Sequence, residues 1–112
     1  MLQQFRNTGY FFDDYFDLFI KTTGRELTWF QLCYDKYNNQ HAITWSREGY
    51  VAHNRVDEDS SAESHYMMPI LVRDGFFDSH KIAFRFMESS GNLEPWIRDK
   101  ILEVINHYEN KE

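Results

Sequence analysis

Between Glu26 and Arg55 the chain alternates apolar and polar residues, and two turn signals interrupt the alternation. Phe30, Leu32 and Tyr34 project to one side of an extended backbone, and Trp29, Gln31, Cys33 and Asp35 to the other. This predicts a half-buried strand over 26–36. Asn38-Asn39 predicts a two-residue turn, since asparagine tolerates positive φ. That turn aligns Tyr34 with Ile43 and Leu32 with Trp45. Arg47-Glu48-Gly49 predicts a three-residue loop with its glycine in the left-handed region. It pairs Ser46 with Tyr50, Trp45 with Val51 and Ile43 with His53. Three strands then share one core face, made of Phe30, Leu32, Tyr34, Ile43, Trp45 and Val51. The opposite, wetter face carries Gln31, Cys33, Asp35, Ala42, Thr44, Ser46 and Ala52. A slip of one residue would exchange the two faces.

The flanking segments follow other patterns. Phe12, Tyr15, Phe16, Phe19 and Ile20 fall at helical spacing, with Asp13, Asp14 and Asp17 across from them. This predicts a helix over 10–21, started near Thr8 and stopped at Gly24, although the aromatics also permit a strand at Tyr10 to Phe12. Asp57 to Ser64 is a polar, acidic loop. Tyr66 to Val72 reads as a strand, and Pro69 inside it marks an edge or a bulge. Ile82, Phe84 and Phe86 alternate with Ala83, Arg85 and Met87, predicting a further strand over 81–87. Pro95 opens the last element, a helix with the stripe Ile97, Ile101, Val104, Ile105 and Tyr108. The expected architecture is a single α+β domain over 1–112. A mainly antiparallel five-stranded sheet has N- and C-terminal helices on one face, in the order helix-βββ-ββ-helix.

Composition narrows the function. Ten Phe, seven Tyr and three Trp exceed what a lean core of this length requires, so some should serve a surface. The formal charge of −6 and the missing Lys/Arg stripe speak against nucleic acid. The apolar runs fall far short of a membrane span. Cys33 is the one cysteine, so no internal disulfide can form, and with the polar N-terminus this predicts a cytoplasmic protein.

Catalytic and metal motifs are missing. The five histidines show no HExxH spacing, and Cys33 has no second cysteine to share a zinc ion. The serines lack the nucleophile-elbow context and the glycines form no phosphate loop. Asp13 and Asp17 read as a solvated helix face. No catalytic residue, metal or cofactor is expected.

The expected function is a non-enzymatic protein-binding or adaptor domain, with an unidentified protein or a second copy as partner. Aromatic anchors within a polar rim concentrate interface energy. The candidates are Trp29, Tyr50, Phe76 and Phe77, with Asp57, Glu58 and Asp59 as the acidic rim. The alternative is a small-molecule or anion pocket near His41, His53 and Arg55, which the predicted register gathers at one end of the apolar face.

Overall fold

The computed structural model describes residues 1–56, 71–73 and 76–110. Among these residues the strands are β1 (Gln3–Gln4), β2 (Tyr10–Phe12), β3 (Phe16–Thr23), β4 (Glu26–Tyr34), β5 (His41–Ser46), β6 (Tyr50–Val56) and β7 (Leu71–Arg73). They form one antiparallel sheet in chain order. β1 is only a two-residue pair, so six strands carry the sheet. Two helices follow, α1 (Ser79–Ser89) and α2 (Pro95–His107). Both helices stand at the C-terminal end, which corrects the expected helix-βββ-ββ-helix order.

The predicted N-terminal helix is a β-hairpin. Asp13 makes its turn: its side-chain oxygen accepts from the Tyr15 and Phe16 N–H groups at 2.8 and 2.7 Å. Phe16 and Leu18 are fully buried on the core face, while Asp17, Phe19 and Lys21 point the other way. Aromatic residues on both faces of this strand imitate a helical period. Gly24 is no helix stop. It has φ +61° in the two-residue link joining Thr23 to Glu26, as a II′ turn requires of its first central residue.

The ladder between β5 and β6 has the predicted register, with Ser46 opposite Tyr50, Trp45 opposite Val51 and Ile43 opposite His53. Gly49 has φ +108° in its turn. The ladder between β4 and β5 differs by two residues: Tyr34 pairs with His41, Leu32 with Ile43 and Phe30 with Trp45. Asp35 adopts φ +58° and ends the strand, and its carbonyl accepts from the Asn38 N–H at 3.2 Å. A shift of two residues preserves the faces, because side chains alternate with period two.

A bulge refines β4. Lys21 pairs with Trp29 but Thr22 pairs with Leu27, leaving Thr28 as the extra residue. The Thr28 hydroxyl donates to the Lys21 carbonyl at 3.1 Å, and its own carbonyl accepts from the Arg47 N–H at 3.0 Å. The extra residue turns Leu27 into the core.

The expected strand over 81–87 is α1. The Asp78 side chain accepts from the Lys81 N–H at 3.2 Å and caps the helix. Ile82, Ala83 and Phe86 are buried at i, i+1 and i+4, whereas Phe84 and Met87 face outward. Apolar residues on both sides of the helix produced the misleading alternation. α2 begins at Pro95 as expected and buries Ile97, Ile101, Val104 and Ile105.

Both helices contribute to the main core, together with Phe11, Phe16, Leu18, Phe30, Leu32 and Ile43 of the sheet. Fully burying a side chain such as Phe30 contributes ~2–3 kcal/mol. The other sheet face is drier than expected. Cys33 and Ala42 are fully buried, forming a second cluster with Val56 and the half-buried Phe19. Of the expected strand over Tyr66 to Val72, residues 66–70 lie outside the described residues. Leu71–Arg73 pairs with the end of β6.

Candidate functional site

Strand register places three rows of side chains on the sheet face away from the helices. The row at the turn end is Lys21, Trp29, Ser46 and Tyr50. The next holds Tyr10, Phe19, Gln31, Thr44 and Ala52, and the third Phe12, Asp17, Cys33, Ala42 and Asn54. Trp29 and Tyr50, expected as anchors on this face, therefore stand in one row with only Ser46 between them. Trp29 is half-buried and Tyr50 is 53% exposed. Lys21 Nζ lies 4.9 Å from the centroid of the Trp29 ring, within cation–π range.

Beside this row opens a cleft of about 400 Å³, lined by Lys21, Thr28, Trp29, Ser46, Arg47 and Glu48 among others. Arg47 forms an ion pair with Glu26 at 2.8 Å, both largely exposed. The cleft thus combines an aromatic wall, hydroxyl groups and charges of both signs. Further along the face, Gln31 Nε2, Thr44 Oγ1 and Asn54 Oδ1 are buried without hydrogen-bond partners among the described residues. Gln31 and Thr44 face each other across β4 and β5.

Asp17 of the third row is paired with residues outside that row. Asp17 accepts from the Tyr10 hydroxyl at 2.7 Å and from Lys36 Nζ at 3.0 Å. Burial, and then the bond to Asp17, pushes the Tyr10 hydroxyl well above its ordinary range. Asp13 and Asp17 do not share a solvated helix face, since one caps a turn and the other pairs with Lys36. Burial likewise holds the Cys33 thiol protonated far above its usual range, which disfavours the thiolate that nucleophilic chemistry needs.

His41, His53 and Arg55 lie at the far end of the helix-covered face, with His41 opposite Arg55 as expected. The two imidazoles stack at 5.2 Å and 10°. His53 is buried, with Nε2 2.6 Å from the Tyr34 hydroxyl and its ring 4.9 Å from that of Phe77. His41 Nδ1 lies 2.8 Å from the Asn39 carbonyl oxygen. The cluster packs between the sheet and the Phe77–Tyr108 pair, and Arg55 stays exposed beside it.

Phe76 and Phe77 separate. Phe76 is 74% exposed at the start of α1, as an anchor requires, whereas Phe77 is fully buried in the main core. Phe77 is therefore a core residue, because its ring fills the space between Tyr34, His53 and Tyr108. Asp57, Glu58 and Asp59 lie outside the described residues.

Sequence reasoning missed Lys21 and Arg47 as neighbours of Trp29. The period-two alternation of Phe16, Leu18 and Ile20 was the available signal for Lys21. Among the described residues no group of three His, Cys, Asp or Glu is placed to hold a metal ion. No helix among them is long and apolar enough to cross a membrane. The coarse result is a small α+β domain with an antiparallel sheet and clusters of exposed aromatic residues. Comparison with known protein families, with curated proteins and with solved structures finds no match.

Proposed function

We propose that this chain is a non-catalytic protein-binding domain and that its partner docks on the turn-end row of the sheet face opposite the helices. The observation that carries the reading is the alignment of Trp29 and Tyr50 across Ser46, beside a cleft bearing Lys21, Arg47 and Glu48. Two aromatic rings on a rigid sheet lose little conformational freedom on binding, and the mixed charges around them supply orientation. The acidic rim at Asp57, Glu58 and Asp59 belongs to the proposal on sequence grounds. Phe76 is exposed on the helix side and stands apart from this row.

Selection from a library of displayed peptides, followed by direct titration, tests this. Peptides enriched by the native chain are expected to bind Trp29→Ala and Tyr50→Ala about 30-fold more weakly, the effect of losing an aromatic anchor. Equal affinity for both variants and the native chain would overturn the proposal.

A second reading, an anion or small-molecule site, is favoured by the direct opposition of His41 and Arg55 beside the stacked His53. A guanidinium fork next to an imidazole suits a carboxylate or phosphate. On that reading Arg55→Ala abolishes binding of a phosphate or carboxylate probe while the fold persists, and unchanged binding would overturn it.

A further inference from the structure

We infer that the outward face of α1 is a self-association surface, on which a second copy of this chain packs antiparallel about a twofold axis. The polar side of an amphipathic surface helix ordinarily carries charged and polar residues. α1 buries Ile82 and Phe86 against the core, yet Phe84 is 65% exposed and Met87 is 60% exposed. At about 100° per residue, Phe84 points almost directly away from Ile82 and Phe86. Two further apolar side chains are exposed near the helix ends. Phe76 is 74% exposed before the N-cap, and Met1 is 77% exposed beside Gly91, just after the C-terminal end. These four residues are half of the eight large hydrophobic side chains exposed among the described residues.

The charges nearest Phe84 are self-complementary about a twofold axis, while the exposed Arg85 on the same flank is drawn aside over the Tyr15 ring, 3.7 Å from its centroid. Lys81 and Glu88 sit on the same flank of Phe84, one toward each end of α1. Among the described residues neither has an ion-pair partner. A twofold axis perpendicular to the helix reverses the order along it and keeps the flank. Lys81 of one copy then faces Glu88 of the other, twice over, with Phe84 and Met87 between the pairs. The same operation opposes the two helix dipoles. A contact built on one short helix lies at the small end of specific interfaces, so the dimer is expected to form in the micromolar range.

Sedimentation velocity of the full chain across the micromolar range provides the test, with circular dichroism confirming the fold of each variant. The native chain should shift from monomer to dimer with concentration, and Phe84→Asp should remain monomeric. Lys81→Glu and Glu88→Lys should each weaken the dimer about tenfold, since each sets like charges against one another twice. The double variant Lys81→Glu/Glu88→Lys should recover native affinity to within about threefold. A native chain that stays monomeric throughout, or a native dimer that the double variant fails to recover, would overturn the inference. Peptide binding by Phe84→Asp separates this surface from the sheet-face site, because the proposed partner row does not include α1.

Discussion

Asn110 grips the backbone of Phe77 from both sides: its Oδ1 accepts from the Phe77 N–H at 2.6 Å, and its Nδ2 donates to the Phe77 carbonyl at 3.0 Å. The segment leading into α1 is thus tied to the residues after α2. Phe77 is held there with its ring on Tyr34, His53 and Tyr108. Asn110→Ala removes both bonds and leaves two part-buried backbone groups to find water. The expected loss is about 1–3 kcal/mol, read from urea unfolding with an unchanged slope. A loss no larger than the uncertainty of the midpoint would contradict this role.

The bond between Tyr34 and His53 predicts a second stability effect. Tyr34→Phe keeps the ring stack and deletes only the hydroxyl that meets Nε2 at 2.6 Å. His53 is 5% exposed, so water replaces that bond poorly. Destabilisation of about 1–3 kcal/mol is expected, and thermal melts of the two proteins measure it. Equal melting temperatures would show that the hydroxyl contributes nothing to the fold.

Alkaline stability follows from Cys33 and Tyr10. Burial raises both proton affinities above their ordinary values of 9.0 and 10.0. Below those values the folded and unfolded chains both keep the protons, and the stabilisation is complete. As pH rises past them the unfolded chain releases its protons first, so the folded state loses ground. Native protein should show a falling unfolding midpoint through this window, with a shallower fall in Cys33→Ala and in Tyr10→Phe. Parallel curves for native and variant proteins would refute the assignment. The native thiol should also resist a thiol reagent at neutral pH and react on unfolding.

Gly9 serves close approach rather than an unusual torsion. Its carbonyl accepts from the Ile20 N–H at 2.7 Å, and a Cβ at this position would collide with the Ile20 carbonyl oxygen. That obstacle is backbone and cannot rotate away. Gly9→Ala should therefore destabilise the domain by about 2–3 kcal/mol, measured by denaturant unfolding. By contrast, Gly91→Ala meets only the flexible end of Met1 and should be close to neutral. A small effect at Gly9 would mean that the two strands separate at low cost.

Legibility in the sequence followed how local the deciding interactions are. The β5–β6 hairpin was readable because Gly49 and a period-two pattern determine turn, register and faces within a few residues. α2 was readable because Pro95 and a single apolar stripe agree. Trp29 and Tyr50 could be assigned to one face for the same local reason. The segments 10–21 and 81–87 were not readable, since each has apolar residues on both sides and fits either period. Tertiary structure decided them: the first found a neighbouring strand for both edges, and the second a core to cover with Ile82, Ala83 and Phe86. Only that packing turned Phe77 inward and Phe84 outward, and only the assembled sheet set Lys21 against Trp29. Turn chemistry and alternation act between near neighbours and are written in the chain. The choice of which apolar face is buried depends on distant partners, and a linear pattern does not carry it.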